Sequence, residues 1–291
     1  MQAVAAAEVV SSRTKGLVKR MDHEMPEAAN GCRTIEAGGA ALARIFPGKG
    51  PVVALALHAG HELRPGLATY LNLTEAERRR EEDPHTASMA PSGITCIEVL
   101  RSRFEVDLNR PRFRAVYQGP HDAWGLDIYR TELPDDEDRV SRTVHDAFYA
   151  EAFEVLSHVA QTYGRFVVLD LHSYNHRREG ESAPPSPAVR NPEVNLGTGR
   201  LDRQRWASVV DGFSAAMCDA GFDCRENVKF RGGHFAQWVT DTFPQAGAAL
   251  AIEFKKTYMD EWSGVVDEVA VGRIRSALQR AVLAISEGLL K

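Results

Sequence analysis

Apolar positions along the chain fall into two kinds of run. Short, nearly unbroken ones occur at Pro51-Val-Val-Ala-Leu-Ala-Leu-His58, Phe166-Val-Val-Leu-Asp-Leu-His172 and Ala248-Ala-Leu-Ala-Ile-Glu-Phe254. Runs of this length without alternation suit strands buried on both faces. Elsewhere the apolar residues recur at helical spacing. Val144, Phe148, Val155 and Val159 do so within 140–163, and Ile274, Leu278, Val282, Ile285 and Leu289 near the end of the chain. Each set predicts an amphipathic helix. A further helix is expected over 202–220 and a short strand near Cys224. Thr74 and Glu77 have the spacing of a capping box ahead of a charge-dense stretch through Glu82. Phe104-Glu-Val-Asp-Leu108 alternates and reads as another strand.

Two segments lack a period. Residues 1–50 are polar and Gly-rich and are expected to wrap the surface. The stretch from Ser173 to Arg200 contains Pro184, Pro185, Pro187 and Pro192 and reads as a long irregular connection. Ordered loops of that length tend to be functional. Buried strands alternating with amphipathic helices predict an α/β three-layer sandwich around a mixed, mainly parallel sheet. With no repeat and no dividing linker, residues 1–291 are expected to form a single domain.

Composition narrows the function classes. The chain has 291 residues, 44% hydrophobic and 26% charged, with a formal net charge of -5. Nothing in that balance favours nucleic acid or an anionic membrane as partner. Arg78–Arg80 are followed at once by Glu81-Glu-Asp83, with no aromatic residues interleaved. No run approaches the roughly 20 apolar residues that span a bilayer. Met1–Arg20 shows no basic leader ahead of its Ala/Val patch, so a cytoplasmic location is expected. Cys32, Cys96, Cys218 and Cys224 are scattered, which suits lone thiols better than a zinc ribbon or a disulfide framework.

The candidate chemistry lies where the buried strands end, the place where open α/β sheets bind ligands. The first run ends in His58, the second in His172, and the third carries Glu253. Imidazoles and a carboxylate are common zinc ligands, and a catalytic zinc keeps three of them with a fourth position open. Either histidine alone could equally close a strand by bonding to backbone. The third ligand is open at this point among His61, Glu62, Glu82 and Asp83. Asn109-Arg110 follows the alternating segment, and a guanidinium can grip a carboxylate with two parallel hydrogen bonds. Arg112 and Arg114 read as surface residues. Arg231 precedes Gly232-Gly233, a pair that permits a close backbone approach to a ligand or simply a turn.

Taken in order, His58-Ala-Gly, Glu82-Asp83, Val106-Asp-Leu-Asn-Arg110, Asp170-Leu-His-Ser173, Phe230-Arg-Gly-Gly233, Ile252-Glu253 and Tyr258-Met-Asp-Glu261 resemble the N-formylglutamate amidohydrolase family. The motif-bearing core runs between residues 50 and 265. The resemblance implies a fold similar to that of zinc carboxypeptidases and a metal-dependent hydrolase of linear amides. It implies His58, Asp83 and His172 as metal ligands, with Glu82, Glu62 and His61 as alternates to Asp83. It implies Glu253 as general base toward water, and Asn109 and Arg110 as the grip on the substrate's α-carboxylate. Arg231 would anchor an acidic side chain, and Tyr258 would lie near the base. The expected substrate is a small acidic N-acyl amino acid such as N-formylglutamate, and the expected cofactor is Zn2+, although other divalent metals suit such a donor set. The turn His58-Ala-Gly-His61-Glu62 departs from the pattern by adding two possible ligands, and it lacks a His-x-x-Glu. Two alternatives stand beside this reading: a zinc exopeptidase acting on small peptides, and a catalytically silent ligand-binding homologue.

Overall fold

In the computed structural model, which describes residues 31–290, the three unbroken apolar runs form the middle of an eight-stranded sheet. Its strands are β1 (Arg33–Ala37), β2 (Ala40–Phe46), β3 (Val52–Ala56), β4 (Thr95–Val99), β5 (Phe166–Tyr174), β6 (Val194–Gly197), β7 (Cys224–Glu226) and β8 (Gly247–Lys255). They are ordered β1-β2-β4-β3-β5-β8-β6-β7. The central four, β4, β3, β5 and β8, run parallel. Antiparallel pairings join β1 to β2, β2 to β4, and β6 to β8. Every residue of β3 and of β5 is buried, which explains why these strands show no polar alternation.

The helices are α1 (Glu75–Glu81), α2 (Asp135–Tyr163), α3 (Ala207–Asp219), α4 (His234–Thr242) and α5 (Glu268–Leu289). On one face of the sheet, Val209, Phe213 and Met217 of α3 and Ile274, Leu278 and Ile285 of α5 pack on Val167, Leu169 and Leu171 of β5. The opposite face is covered by α2 and α4, whose Phe148 and Phe235 rings lie 6.2 Å apart. The result is the α/β three-layer sandwich with a mixed sheet that the sequence predicts. α1 begins with the expected capping box, Thr74 accepting from the Glu77 amide while the Glu77 carboxylate accepts from the Thr74 amide. Four acidic residues, Asp135–Asp138, open α2, where the helix dipole favours negative charge.

Several expectations are corrected. Residues 33–46 form a hairpin rather than a surface wrap. Gly38 and Gly39 both have positive φ (58° and 80°), as a tight two-residue turn requires, and Leu42, Ala43 and Ile45 of β2 are buried. Phe104–Leu108 is not a strand. All five residues are buried, polar and apolar alike, so the alternation does not separate two faces. The stretch 173–200 is less irregular than expected, because β5 extends to Tyr174 and β6 lies within it. The expectations for residues 1–30 lie outside the described residues. The four cysteines are free, and no described helix is long and apolar enough to cross a membrane.

Gly60, two residues beyond His58, fixes the turn out of β3. A Cβ there would sit 2.1 Å from the carbonyl carbon of Leu100, and Glu62 donates its amide to that residue's oxygen. Gly60→Ala is expected to destabilise the fold by about 2 kcal/mol through overpacking, measured by chemical denaturation. An unchanged midpoint would show that the Leu100 segment yields freely.

Candidate active site

β3 runs into His58 and β5 delivers His172 close to its own end, while the chain leaving α1 returns to the same sheet edge. There the Asp83 amide donates to the His58 carbonyl at 2.9 Å. Asp83 Oδ2 consequently lies 3.1 Å from His172 Nδ1 and 3.5 Å from His58 Nδ1. The imidazole centroids are 5.0 Å apart, and all three side chains are buried. The far nitrogens face further carboxylates. His58 Nε2 is 2.8 Å from Asp107 Oδ1. His172 Nε2 is 2.9 Å from Asp170 Oδ1, at ion-pair distance but not aligned as a hydrogen bond.

Burial works against charge on Asp83, but hydrogen bonds from His172 and His58 outweigh it and hold this carboxyl well below the usual range. Burial likewise disfavours charge on His172. Asp170 first, and then Asp83, outweigh it and raise this imidazole well above its ordinary value. Glu253 is the register partner of His172 across β5 and β8. Enclosure by protein pushes its carboxyl up to about 8, with Asp83 and Asp170 adding to the rise and His172 and Arg103 opposing it.

The donor set suits a divalent cation. One ligand atom from each of His58, Asp83 and His172 lies within 4.8 Å of the others. A tetrahedral ion with bonds of about 2.0–2.1 Å sets neighbouring ligand atoms about 3.3 Å apart, close to the two separations from Asp83. Asp107 and Asp170 stand behind the imidazoles, as carboxylates do behind metal-binding histidines, and both Asp170 oxygens lack a hydrogen-bond partner among the described residues.

The alternates to Asp83 are elsewhere. Glu82 accepts from the Ser102 hydroxyl and contacts His61 Nδ1 at 2.5 Å. The other ring nitrogen of His61 faces Arg78 at 3.1 Å, and Glu62 is exposed. Arg110 is also placed differently from expectation. Its guanidinium donates to Asp122 at 2.8 Å, lies 3.3 Å from Asp107 and stacks 4.5 Å from the Tyr117 ring. It does not line the cavity over the histidines. Tyr258 is buried and donates to the Pro84 carbonyl at 2.9 Å, so it braces the Asp83 segment instead of facing the cavity. Asn109 reaches the cavity but is partly engaged. Its Oδ1 accepts from the Phe235 amide at the start of α4, and its Nδ2 lies 3.4 Å from His172 Nε2.

A cavity of about 240 Å³ opens over His58, Asp83, His172 and Glu253. Four cations line it: Arg103, Arg178, Arg231 and Lys256. Three are occupied. Arg103 donates to Asp107 at 2.9 Å and to the Tyr117 hydroxyl, and Arg178 makes a two-pronged pair with Glu81. Lys256, buried at the end of β8, donates to the carbonyls of Arg80 and Glu82 at 2.6 Å each. Arg231 makes no ion pair among the described residues. It follows β7 and leads into Gly232 and Gly233, where a Cβ on Gly233 would meet the Asn109 side chain at 2.3 Å.

Sequence reasoning missed Asp107, Arg103, Lys256, Arg178 and Trp124. Asp107 lay in the segment misread as a strand, and Lys256 was hidden behind the apolar run of β8.

Residues 50–259 match the N-formylglutamate amidohydrolase family. Among solved structures, the chain is similar to an N-formylglutamate amidohydrolase from Ralstonia eutropha JMP134, at 18% identity and a TM-score of 0.68 over 84% of this chain and 97% of that one. It is also similar to a gene product of Agrobacterium tumefaciens, at 17% identity and a TM-score of 0.63 over 84% and 96%. A metallo-carboxypeptidase from Burkholderia cenocepacia is more distant, at 13% identity and a TM-score of 0.41 over 96% and 69%. No curated protein sequence matches the chain.

Lys256→Met leaves the two carbonyls on either side of Glu81 without their buried donor. The expected loss is about 1–3 kcal/mol of stability, read from denaturant unfolding. Unaltered stability would mean that these carbonyls find other donors and that Lys256 is not a clamp.

Proposed function

We propose that this chain, which belongs to the N-formylglutamate amidohydrolase family and is thereby an amide hydrolase, uses a divalent metal to cleave small acidic N-acyl amino acids such as N-formylglutamate. The observation that carries this reading is the convergence of His58, Asp83 and His172, with Glu253 beside them, in a cavity where Arg231 makes no ion pair among the described residues. His58, Asp83 and His172 would hold the metal, with Zn2+ suited to two imidazoles and a carboxylate. A bound divalent ion supplies Lewis-acid polarisation of the amide carbonyl and lowers the pKa of a coordinated water.

The protein's own groups do the rest. Asp107 and Asp170 fix the imidazole rings so that both Nδ1 atoms face Asp83. Glu253 takes a proton from the attacking water and passes it to the leaving amine, and a value near neutral pH suits a group that must do both. Arg231 pairs with a substrate carboxylate, and the Gly232-Gly233 turn lets the backbone approach it closely. Arg110 is not given this role, because Asp122 and Asp107 already occupy it. Water adds across the amide bond, so N-formylglutamate yields formate and glutamate.

The test is elemental analysis of purified protein alongside formate release from N-formyl-L-glutamate, before and after chelation. About one zinc per chain with chelator-sensitive release supports the reading, and Glu253→Gln should keep the metal while losing 10²- to 10⁴-fold in turnover. Hydrolysis of dipeptides in place of N-acyl amino acids would redirect it to a small-peptide exopeptidase. Protein that binds no divalent ion and has no activity after metal addition would overturn it.

Arg231→Ala should raise KM for N-formylglutamate by about tenfold or more, the loss of one charge-assisted contact, with a much smaller effect on turnover. An unchanged KM in steady-state kinetics would remove Arg231 as the carboxylate anchor.

A further inference from the structure

Trp124 is a large aromatic residue in an unusual setting. It lines the cavity over the histidines, yet it is 47% exposed, so its ring stands at the rim. Its φ is +53°, a left-handed conformation that bulky side chains rarely adopt and that clusters at functional sites. Gly125 follows at φ +88°, and the Gly125 amide closes the turn onto the Pro120 carbonyl at 2.8 Å. The turn is held from below by Asp122, which accepts from Arg110 at 2.8 Å and from the Gln118 amide at 3.0 Å.

Two guanidiniums lie against the ring. Arg103, which also grips Asp107, lies 4.8 Å from its centroid, and Arg178, from the connection after β5, lies 5.6 Å away. The indole thus joins two separate segments across the cavity mouth. Sheet order gives this wall a direction. Trp124 belongs to the connection after β4 and Arg231 to the turn after β7, while β3, β5 and β8, which bring in His58, His172 and Glu253, lie between β4 and β7. A substrate with its carboxylate at Arg231 and its amide carbonyl over the histidines therefore extends its acyl group toward Trp124.

We infer that Trp124 is the specificity-determining residue of the acyl subsite, and that it restricts substrates to short acyl groups of one or two carbons. The inference rests on the amide-hydrolase reading above. A longer acyl chain would have to displace the indole from its contacts with Arg103 and Arg178. Removing the ring opens the rim while the Asp122 anchor of the turn remains.

The test compares wild type, Trp124→Ala and Trp124→Phe, each loaded with zinc. Hydrolysis is followed on N-formyl-, N-acetyl- and N-hexanoyl-L-glutamate. Binding of formate, acetate and hexanoate, the free acids of the same acyl groups, is followed by calorimetry. Circular dichroism and zinc content identify a variant that fails to fold. The expected result is a ratio of hexanoyl to formyl kcat/KM that rises about tenfold or more in Trp124→Ala, with Trp124→Phe between, and a parallel gain in hexanoate binding. A folded, zinc-bearing Trp124→Ala with the wild-type ratio and the wild-type order of acid affinities would overturn the inference. The binding series separates the two failures. If no N-acyl substrate turns over but hexanoate binding still rises in Trp124→Ala, the hydrolase reading falls and the subsite stands. If neither wild type nor variant distinguishes acids by chain length, the subsite falls.

Discussion

The structure is organised around one carboxylate. Asp83 is buried between two imidazoles, and a buried charge is tolerated only when it is paired and hydrogen-bonded. The surroundings supply that pairing in layers. The Ser173 hydroxyl donates to its second oxygen, its amide is tied to His58, and the histidines are oriented from behind by Asp107 and Asp170. Asp107 is in turn satisfied by Arg103, the Tyr117 hydroxyl and the Asn109 amide. Asp170 first, and then Asp83, raise the His172 imidazole above its ordinary value, so the pocket favours a positive charge beside Asp83. A divalent ion would supply that charge, and competition between metal and protons is how such sites couple affinity to pH.

The parallel centre of the sheet makes this possible. Parallel neighbours end on the same edge, so β3, β5 and β8 bring their last side chains together without any loop having to reach across. β8 serves twice. Glu253 stands in register with His172, and a few residues later Lys256 and Tyr258 hold the carbonyls of Arg80, Glu82 and Pro84. One strand therefore places the candidate base and also fixes the segment that carries Asp83. Lys256 also shows why a buried lysine need not be reactive. Burial lowers its pKa to about 8, yet two carbonyls already occupy its ammonium.

The sequence revealed these strands because burial on both faces leaves an unbroken apolar signature, and it revealed the histidines because they end those runs. Residue spacing alone left Asp83 and Glu82 equivalent, and only the family resemblance favoured Asp83. Adjacent carboxylates look equivalent in one dimension, and only the extended backbone at Glu82 (ψ 175°), which ends α1, turns one toward Ser102 and the other toward the histidines. β4 was invisible because Thr95-Cys-Ile-Glu-Val99 has too few apolar residues to stand out. β1 and β2 were hidden because Arg33, Glu36 and Arg44 interrupt their apolar positions, although Gly38-Gly39 was a legible hairpin signal. The segment 104–108 misled because its buried acids, Glu105 and Asp107, are paired to Arg101 and Arg103 and so mimic the polar face of a strand.

Arg110 is the most instructive displacement. A guanidinium following Asn109 has the right chemistry for a carboxylate, but chemistry does not decide which carboxylate it meets. Here Asp122 lies within reach and takes it.

 Once Arg110 is held there, it supports the turn that presents Trp124, and the cavity cation without an ion pair among the described residues is Arg231, in the turn after β7. Under the proposed function, carboxylate recognition and support of the cavity wall are thereby separated onto different arginines. A change at Arg110 would act through the position of Trp124, whereas a change at Arg231 would act on the bound carboxylate directly. These two arginines thus differ in what they meet: Arg110 is paired with Asp122 and Asp107, and Arg231 makes no ion pair among the described residues.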